Sequence, residues 1–235
     1  MNKIKFLLPI YCLFLNACQE TNTISKDYAQ INSKELSKNN FQEKDYYQEP
    51  SVAVFCPIEG SAKTTHLKEL NILKNRTKLS SENGYDTRVT LSAMLNKGDD
   101  THRWSNNSFV KVIGYVKDVK VGGVETVNCK AKDKDLRDTH IELSLNPLGE
   151  DKRENVIAEI TPRVRQIMAK QGIDWRTSTI RSKYLGRWVE IEGWLFFDTE
   201  HDNMAENTKP GNIKNWRATA WEIHPITKIK IVDKH

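Results

Sequence analysis

Two short stretches of the chain place histidine and carboxylate side chains at the two-residue spacing of a β-strand. The stretch D-T-H-I-E-L carries Asp138, His140 and Glu142 at alternate positions, and W-E-I-H-P carries Glu222 and His224 in the same way. Side chains two positions apart on a strand lie about 7 Å apart on one face. If the two strands pack side by side, their imidazole and carboxylate groups converge on one surface.

The connection between the last two predicted strands, residues 198–215, adds Asp198, His201 and Asp202 to this set. Imidazole and carboxylate groups ligate divalent metal ions and also act as acids and bases. Two other interpretations stay open, namely a site for an organic or polymeric ligand and a polar sheet face without a function. The candidate polar site consists of His140, His201, Glu222 and His224.

No local motif identifies a catalytic centre. The chain contains no H-E-x-x-H or C-x-x-C ligand pair, no P-loop, no Rossmann fingerprint and no G-x-S-x-G elbow. We therefore expect a binding module for an unknown ligand, with no catalytic residues and no cofactor. The alternative is a hydrolase, such as a nuclease, that uses a divalent metal at the candidate polar site.

The elements that position these residues follow a strand pattern from Phe109 onward. Two segments alternate apolar and polar residues around a central glycine, Gly114 in the first and Gly193 in the second. A glycine at the centre of a strand suits a sharp bend, and Pro225 in the last strand marks a bulge or a change of neighbours. The predicted strands span residues 109–116, 124–129, 139–145, 189–195 and 216–232.

One helix is predicted between the third and fourth strands. Thr161 suits an N-cap, Pro162 suits the first helical position and Gly172 suits the stop. The resulting order, β-β-β-α-β-β, resembles the OB-fold, a five-stranded Greek-key barrel. This resemblance covers residues 109–232 and implies that the third strand lies beside the fifth. The predicted class is mainly β with some α, and a sandwich or another small barrel is the alternative.

Residues 51–104 precede the strands and favour helices. Leu67, Leu70 and Leu73 are at helical spacing within residues 65–76, and a second helical segment runs over residues 86–96. We therefore predict a small helical preface at residues 51–104 and a barrel domain at residues 105–235.

The first residues have the pattern of a secretory signal, with two lysines followed by a short apolar run. The end of this run, L-N-A-C, resembles the lipobox of bacterial lipoproteins. Leu15 and Ala17 match the pattern, whereas Asn16 departs from the small or apolar residue that is usual there. The resemblance implies a signal peptide at residues 1–17 and acyl chains such as palmitate on Cys18. The alternative is an ordinary cleaved signal with a chance cysteine.

Lipidation would place the protein in the bacterial cell envelope, and Gln19 after the cysteine fits the outer membrane, with the domain facing the periplasm or the outside. Residues 18–50 are rich in polar side chains and are predicted to form a flexible tether. The formal charge is +5, and removal of Lys3 and Lys5 with the signal lowers it to +3. So small a charge predicts no strong general attraction to nucleic acid.

Two cysteines, Cys56 and Cys129, remain after Cys12 leaves with the signal and Cys18 takes lipid. An oxidising envelope allows them to form a disulfide, although their separation in sequence says nothing about their distance. Two separate buried thiols are the alternative.

A basic segment at residues 161–187 contains a single acidic residue, Asp174. Basic side chains between aromatic rings suit a single-stranded nucleic acid or an acidic polymer, whereas the plainer interpretation is a solvated surface. The expected partners are the membrane, through the anchor, and an acidic polymer or a protein, with nucleic acid disfavoured. The candidate basic patch consists of Arg163, Arg165, Arg176, Arg181 and Lys183 with Trp175 and Tyr184.

Three phrases, D-T-H-I-E-L, G-W-L-F-F-D and W-R-A-T-A-W-E-I-H-P-I, are similar to stretches of uncharacterised bacterial secreted or lipid-anchored proteins. This resemblance implies an envelope location. It implies no activity and no catalytic residue.

Overall fold

A computed structural model describes residues 56–233 of the chain. The predicted signal peptide at residues 1–17, the lipidated Cys18 and the tether at residues 18–50 lie outside the described residues, as do residues 51–55 of the preface. Within residues 56–233, no helix combines the length and the apolar character needed to cross a bilayer.

Five strands close into a barrel in the neighbour order β1-β2-β3-β5-β4. The β3–β5 pair is parallel and the other four pairs are antiparallel. The prediction of a small OB-like barrel, mainly β with some α, is thus confirmed. The strands are β1 (Phe109–Val121), β2 (Thr139–Ser144), β3 (Val156–Ile160), β4 (Trp188–Phe197) and β5 (Trp221–Ile231).

Within residues 56–233, four α-helices accompany the barrel, and two of them lie between β3 and β4. The first of that pair begins as predicted, because the Thr161 hydroxyl accepts a hydrogen bond from the Val164 amide and Pro162 occupies the first turn. The second was not predicted, since its polar sequence T-S-T-I-R-S-K-Y buries only Ile180 and Tyr184. The helices are α1 (Thr65–Lys74), α2 (Leu91–Leu95), α3 (Pro162–Lys170) and α4 (Thr177–Tyr184).

The predicted strand at residues 124–129 is wrong. Thr126–Asn128 forms a short 3-10 helix, and Cys129 and Lys130 adopt positive φ angles of 50° and 56°, which a strand does not allow. The true third strand is β3, which the sequence analysis missed. All five residues of V-I-A-E-I are buried, so the strand lacks the alternation that marks a half-exposed strand.

This correction changes the neighbours of β5. The segment predicted as strand three, residues 139–145, corresponds to β2, and β3 lies between it and β5. The OB-fold rule that strand three borders strand five therefore holds for β3. The polar side chains of β2 reach those of β5 across one intervening strand.

The barrel interior and α2 share one hydrophobic core. Val112 of β1, Ile191 of β4 and Ile223 of β5 belong to the same buried cluster as Leu91 and Met94 of α2. The helical preface thus packs on the barrel through apolar contacts, each of which stabilises the fold by removing side-chain surface from water.

The two predicted central glycines allow close approach. A Cβ atom at Gly193 would lie 2.5 Å from the Pro225 carbonyl oxygen and 2.6 Å from the Ile223 side chain. The β4–β5 register shifts at Gly193, which confirms the bulge predicted near Pro225. A Cβ at Gly114 would instead lie 2.6 Å from a methyl group of Leu91, so the absence of a side chain at this position allows α2 to pack closely against β1.

A disulfide joins Cys56 to Cys129, so of the two alternatives that the sequence left open the structure has the bridge. It ties the beginning of the described chain to the β1–β2 connection, residues 122–138. The same region is held by α1, because Asn75 donates hydrogen bonds to the carbonyl oxygens of Ile58 and Val127. These contacts fix α1 over the outer face of the sheet.

Candidate functional site

The outer face of β2, β3 and β5 is lined with charged side chains. His140 and Glu142 alternate with the core residue Ile141, and His140 pairs with Glu159 across the β2–β3 register. Glu222 and His224 occupy the corresponding face of β5. All of these polar residues are buried, because α1 and the β1–β2 and β4–β5 connections cover them.

We call this set the charge layer. It contains positive and negative groups from six segments of the chain, and one of them, Lys74, comes from α1 and forms an ion pair of 3.0 Å with Glu125 of the β1–β2 connection. Its buried members are Lys74, Asp138, His140, Glu142, Glu159, Asp198, Arg217, Glu222 and His224, and the half-buried His201 completes it.

A first histidine–carboxylate dyad joins β2 and β3. The Nδ1 atom of His140 lies 2.8 Å from Oε1 of Glu159, whereas its Nε2 atom has no hydrogen-bond partner. Burial lowers the pKa of His140, but the carboxylates of Glu142 and Glu159 outweigh it and raise the pKa to about 9. Burial raises the pKa of Glu159, yet the hydrogen bond from His140 and nearby positive charges hold it at about 2.

A second dyad lies in the β4–β5 connection, residues 198–220. The Nδ1 atom of His201 lies 2.6 Å from Oδ2 of Asp198. Burial raises the pKa of Asp198, but the charge of Lys74 and the hydrogen bond from His201 lower it far below its usual range. The same hydrogen bond raises the pKa of His201, whose side chain is 34% exposed. In each dyad a carboxylate therefore fixes the imidazole ring through Nδ1.

Trp216 and Arg217 lie between the two dyads. The Trp216 ring centre is 5.8 Å from that of His140 and 6.0 Å from that of His201. The Arg217 guanidinium stacks on Trp216 at 4.8 Å and forms an ion pair with Glu222. Arg217 is fully buried, and its Nε and Nη1 atoms have no hydrogen-bond partner.

These groups surround a cavity of about 190 Å³, which we call the dyad cleft. The β1–β2 and β4–β5 connections border it. The dyad cleft is lined by both dyads, by Lys74, Trp216, Arg217 and Glu222, and by Gly123 and Glu125 of the β1–β2 connection.

The structure brings three of the four residues of the candidate polar site to this cleft. His140, His201 and Glu222 line it, whereas His224 is fully buried behind Glu222, with its Nδ1 atom 3.2 Å from Oε2 of that carboxylate. Glu159 was missed because β3 was missed.

Lys74 and Arg217 were also missed by the sequence analysis. A lysine in the last turn of a helix is ordinary, because a positive charge there is favoured by the helix dipole. The sequence around Arg217, W-R-A-T-A-W, was assigned to the last strand, so the arginine was not placed in the connection that covers the sheet.

The structure also groups possible metal ligands. Among residues 56–233, one group of at least three histidine, cysteine or acidic residues has ligand atoms that all lie within 4.8 Å of one another. It consists of Asp138, Glu159 and His224, and it shares only His224 with the candidate polar site.

The candidate basic patch is largely engaged in contacts within the protein. Arg165 is buried and donates hydrogen bonds to the carbonyl oxygens of Asp135 and Arg137. The two aromatic side chains, Trp175 and Tyr184, belong to the hydrophobic core and so do not offer exposed rings for stacking.

The other four members of the patch have partners on the surface. Arg163 donates to the Cys56 carbonyl oxygen, and Lys183 lies over the Tyr184 ring. Arg176 pairs with Asp174, and Arg181 pairs with Asp118.

Comparison with known proteins does not assign the chain to a family. No family model matches the chain, and no curated protein matches it.

Proposed function

We propose that the protein is a binding module of the bacterial cell envelope whose dyad cleft takes an anionic oxygen group, such as the phosphate or carboxylate group of its ligand. The observation that carries this proposal is the hydrogen-bonding state of Arg217. This guanidinium lines the cleft and is fully buried, and two of its nitrogen atoms, Nε and Nη1, have no hydrogen-bond partner.

The carboxylates of the cleft, in contrast, already accept hydrogen bonds. Glu159 is bonded to His140, Asp198 to His201, and Glu222 to Arg217. Each of these carboxylates thus has a donor on at least one oxygen. Nε and Nη1 of Arg217 and Nε2 of His140, in contrast, donate no hydrogen bond, although Nη1 lies 3.6 Å from Oδ2 of Asp198 and Nε2 lies 3.7 Å from Oε1 of Glu142. A buried donor without a partner costs about 1–3 kcal/mol, which a ligand oxygen would relieve.

Arginine suits this task because its planar fork matches the oxygen atoms of phosphate and carboxylate. Lys74 adds a second buried positive charge to the same cleft. The volume of about 190 Å³ corresponds to roughly six water molecules, enough for one head group and too little for a polymer chain. We therefore expect the ligand to insert one charged end.

The envelope location rests on the L-N-A-C lipobox, which would anchor the protein through Cys18 to the outer membrane. In this proposal the protein contacts the membrane only through the acyl chains on Cys18. The ligand would be a periplasmic or surface molecule that carries an anionic group.

A specific observation favours a second candidate, hydrolysis of a phosphoester. In each dyad the carboxylate holds Nδ1, so Nε2 is the atom left to exchange a proton with a substrate. Because the pKa of His140 is raised to about 9, its imidazole is protonated at neutral pH and can act as an acid toward the leaving oxygen of the ester. A divalent metal, as expected for the hydrolase alternative, would assist such a reaction by polarising the phosphoryl oxygen.

Calorimetric titration of the purified protein with inorganic phosphate tests the proposal. We expect saturable binding to one site, and Arg217→Gln should weaken it about 10-fold or more because a hydrogen bond to a charged group is lost. His140→Gln, which spares the Arg217–Glu222 pair, should weaken it as well. The matched control is Arg176→Gln, which removes the same charge at the surface beside Asp174.

Absence of saturable binding by the wild type, or equal affinity in all four proteins, would refute the anion site. Turnover of bis(p-nitrophenyl) phosphate that His140→Gln and His201→Gln abolish would favour the hydrolase over the binding module.

A further inference from the structure

A second cluster lies next to the dyad cleft and shares Glu159 with it. Asp138 stands immediately before β2, Glu159 is in β3 and His224 is in β5, and one ligand atom from each lies within 4.8 Å of the others. Their exposed fractions are 2%, 6% and 0%. The barrel therefore brings two carboxylates and an imidazole together away from water.

Part of the hydrogen-bonding capacity of this cluster is unmet. Neither carboxylate oxygen of Asp138 has a hydrogen-bond partner, and neither does Nε2 of His224, which lies 3.9 Å from Oδ2 of Asp138. Buried polar groups are nearly always hydrogen-bonded, so three such atoms on facing side chains call for a shared partner. A positively charged partner suits two carboxylates, because buried charges need a counter-charge.

Neighbouring residues orient the atoms that would bind it. Glu222 lies 3.2 Å from Nδ1 of His224 and so favours a proton on that nitrogen, which leaves Nε2 as the ligand atom. His140 holds Oε1 of Glu159 at 2.8 Å, so Oε2, which lies 3.6 Å from Nδ1 of His224, is the oxygen left to turn toward an ion. Metal-binding imidazoles and carboxylates are commonly held by such outer hydrogen bonds.

We propose that Asp138, Glu159 and His224 bind a divalent transition-metal ion, with Zn²⁺ as the ion of choice. Nitrogen and carboxylate ligands suit Zn²⁺, and three protein ligands leave a position for water or a ligand oxygen. Bonds of about 2.1 Å at tetrahedral angles place two ligand atoms about 3.4 Å apart, so binding requires the ligand atoms to approach one another by up to about 1.4 Å. This site does not rest on the proposed anion-binding function.

The test is titration of Zn²⁺ alone into chelator-treated, tag-free protein, monitored by calorimetry. We expect one equivalent to bind and to raise the thermal unfolding temperature, because the ion binds only the folded site. Asp138→Asn and His224→Gln should each weaken binding about 100-fold or more, since even outer hydrogen bonds contribute about 10–100-fold. Circular dichroism shows whether each variant is folded, and Asp138→Asn preserves the shape of the side chain.

The controls are Asp100→Asn and His102→Gln. Asp100 is also fully buried and also has an oxygen without a hydrogen-bond partner, but it lies outside the cluster. Both controls should bind Zn²⁺ as the wild type does. Failure of the wild type to bind one equivalent, or unchanged affinity in folded Asp138→Asn, would overturn the proposal.

Phosphate titration of the metal-free protein separates the two proposals. If the wild type binds phosphate but no Zn²⁺, the metal site alone is refuted. If the wild type binds Zn²⁺ but no phosphate, the anion site alone is refuted.

Discussion

Replacing Cys56 and Cys129 together by alanine is expected to lower the free energy of unfolding by about 4 kcal/mol. The disulfide joins residues that are 73 positions apart, so its loss frees a long loop in the unfolded chain. In the folded state the bond holds the β1–β2 connection, which borders the dyad cleft, to the segment that α1 packs against. The loss should therefore also loosen the cover of the charge layer.

Urea unfolding of the wild type and of the double variant measures this effect. Treatment of the wild type with a reducing agent provides a control, because it removes the same bond without changing any side chain. We expect the two perturbations to agree within about 1 kcal/mol, with the remaining difference due to the altered packing of buried Cys56. A drop below about 1 kcal/mol in both would show that the bond does not restrict the unfolded chain.

Lys74→Met is expected to destabilise the protein by about 3–5 kcal/mol, because it leaves buried carboxylates without their counter-charge. Burial lowers the pKa of Lys74, but Asp198, Glu125, Glu222 and Glu159 outweigh it and raise the pKa well above its usual value. The lysine is therefore charged in the folded protein. It is also the charged residue by which α1 reaches the charge layer.

The control is Lys68→Met, which makes the same substitution at an exposed position of the same helix. It should change the unfolding free energy by less than about 0.5 kcal/mol. Equal losses in the two variants would contradict the account.

The pH dependence separates charge from packing. In Lys74→Met the carboxylates lose a positive neighbour, so their folded pKa values rise. A carboxylate whose pKa is raised in the folded state lowers the free energy of unfolding at a pH above that pKa. This loss of stability diminishes as the carboxylate becomes protonated. The difference between Lys74→Met and the wild type should therefore shrink as the pH falls through the raised pKa values of the variant toward the wild-type value of about 2 for Glu159. A difference that does not vary with pH would indicate lost packing alone.

The size of the charge layer itself supports a functional interpretation. Buried ion pairs contribute little net stability compared with apolar side chains of similar volume. If the residues on the outer face of β2, β3 and β5 only had to pack against the elements that cover them, leucine and isoleucine would stabilise the fold more than charged side chains. Perturbed ionisable groups around a cleft are instead typical of binding and catalytic sites.

The barrel could be predicted from sequence where its strands alternate. β1 and β4 do so around Gly114 and Gly193, and the helix after β3 has clear start and stop residues. β3 could not be predicted, because its residues are buried on both faces and so do not alternate. The β1–β2 connection was mistaken for a strand since V-E-T-V-N-C has strand-like composition, while its turn depends on the disulfide and on two left-handed residues.

The site was predictable only in part, for a related reason. Strand parity placed His140 and Glu222 on one face. Their partners come from distant segments: Lys74 contacts Glu125 across 51 residues, and the strand that carries Glu159 was not recognised. No local pattern reports such contacts. The parity rule therefore indicated the correct surface of the barrel but neither the arginine and lysine that complete it nor the covering elements that bury it.

The most direct test of the anion-binding cleft follows the Nε–H signal of Arg217 by nitrogen-15 NMR while inorganic phosphate is added. The account predicts that this signal shifts and saturates with the dissociation constant found by calorimetry, because phosphate oxygen accepts its hydrogen bond. The Nε–H signal of Arg176, which is already paired with Asp174, should stay in place. An Arg217 signal that does not move, or that moves only as much as that of Arg176, would contradict the account.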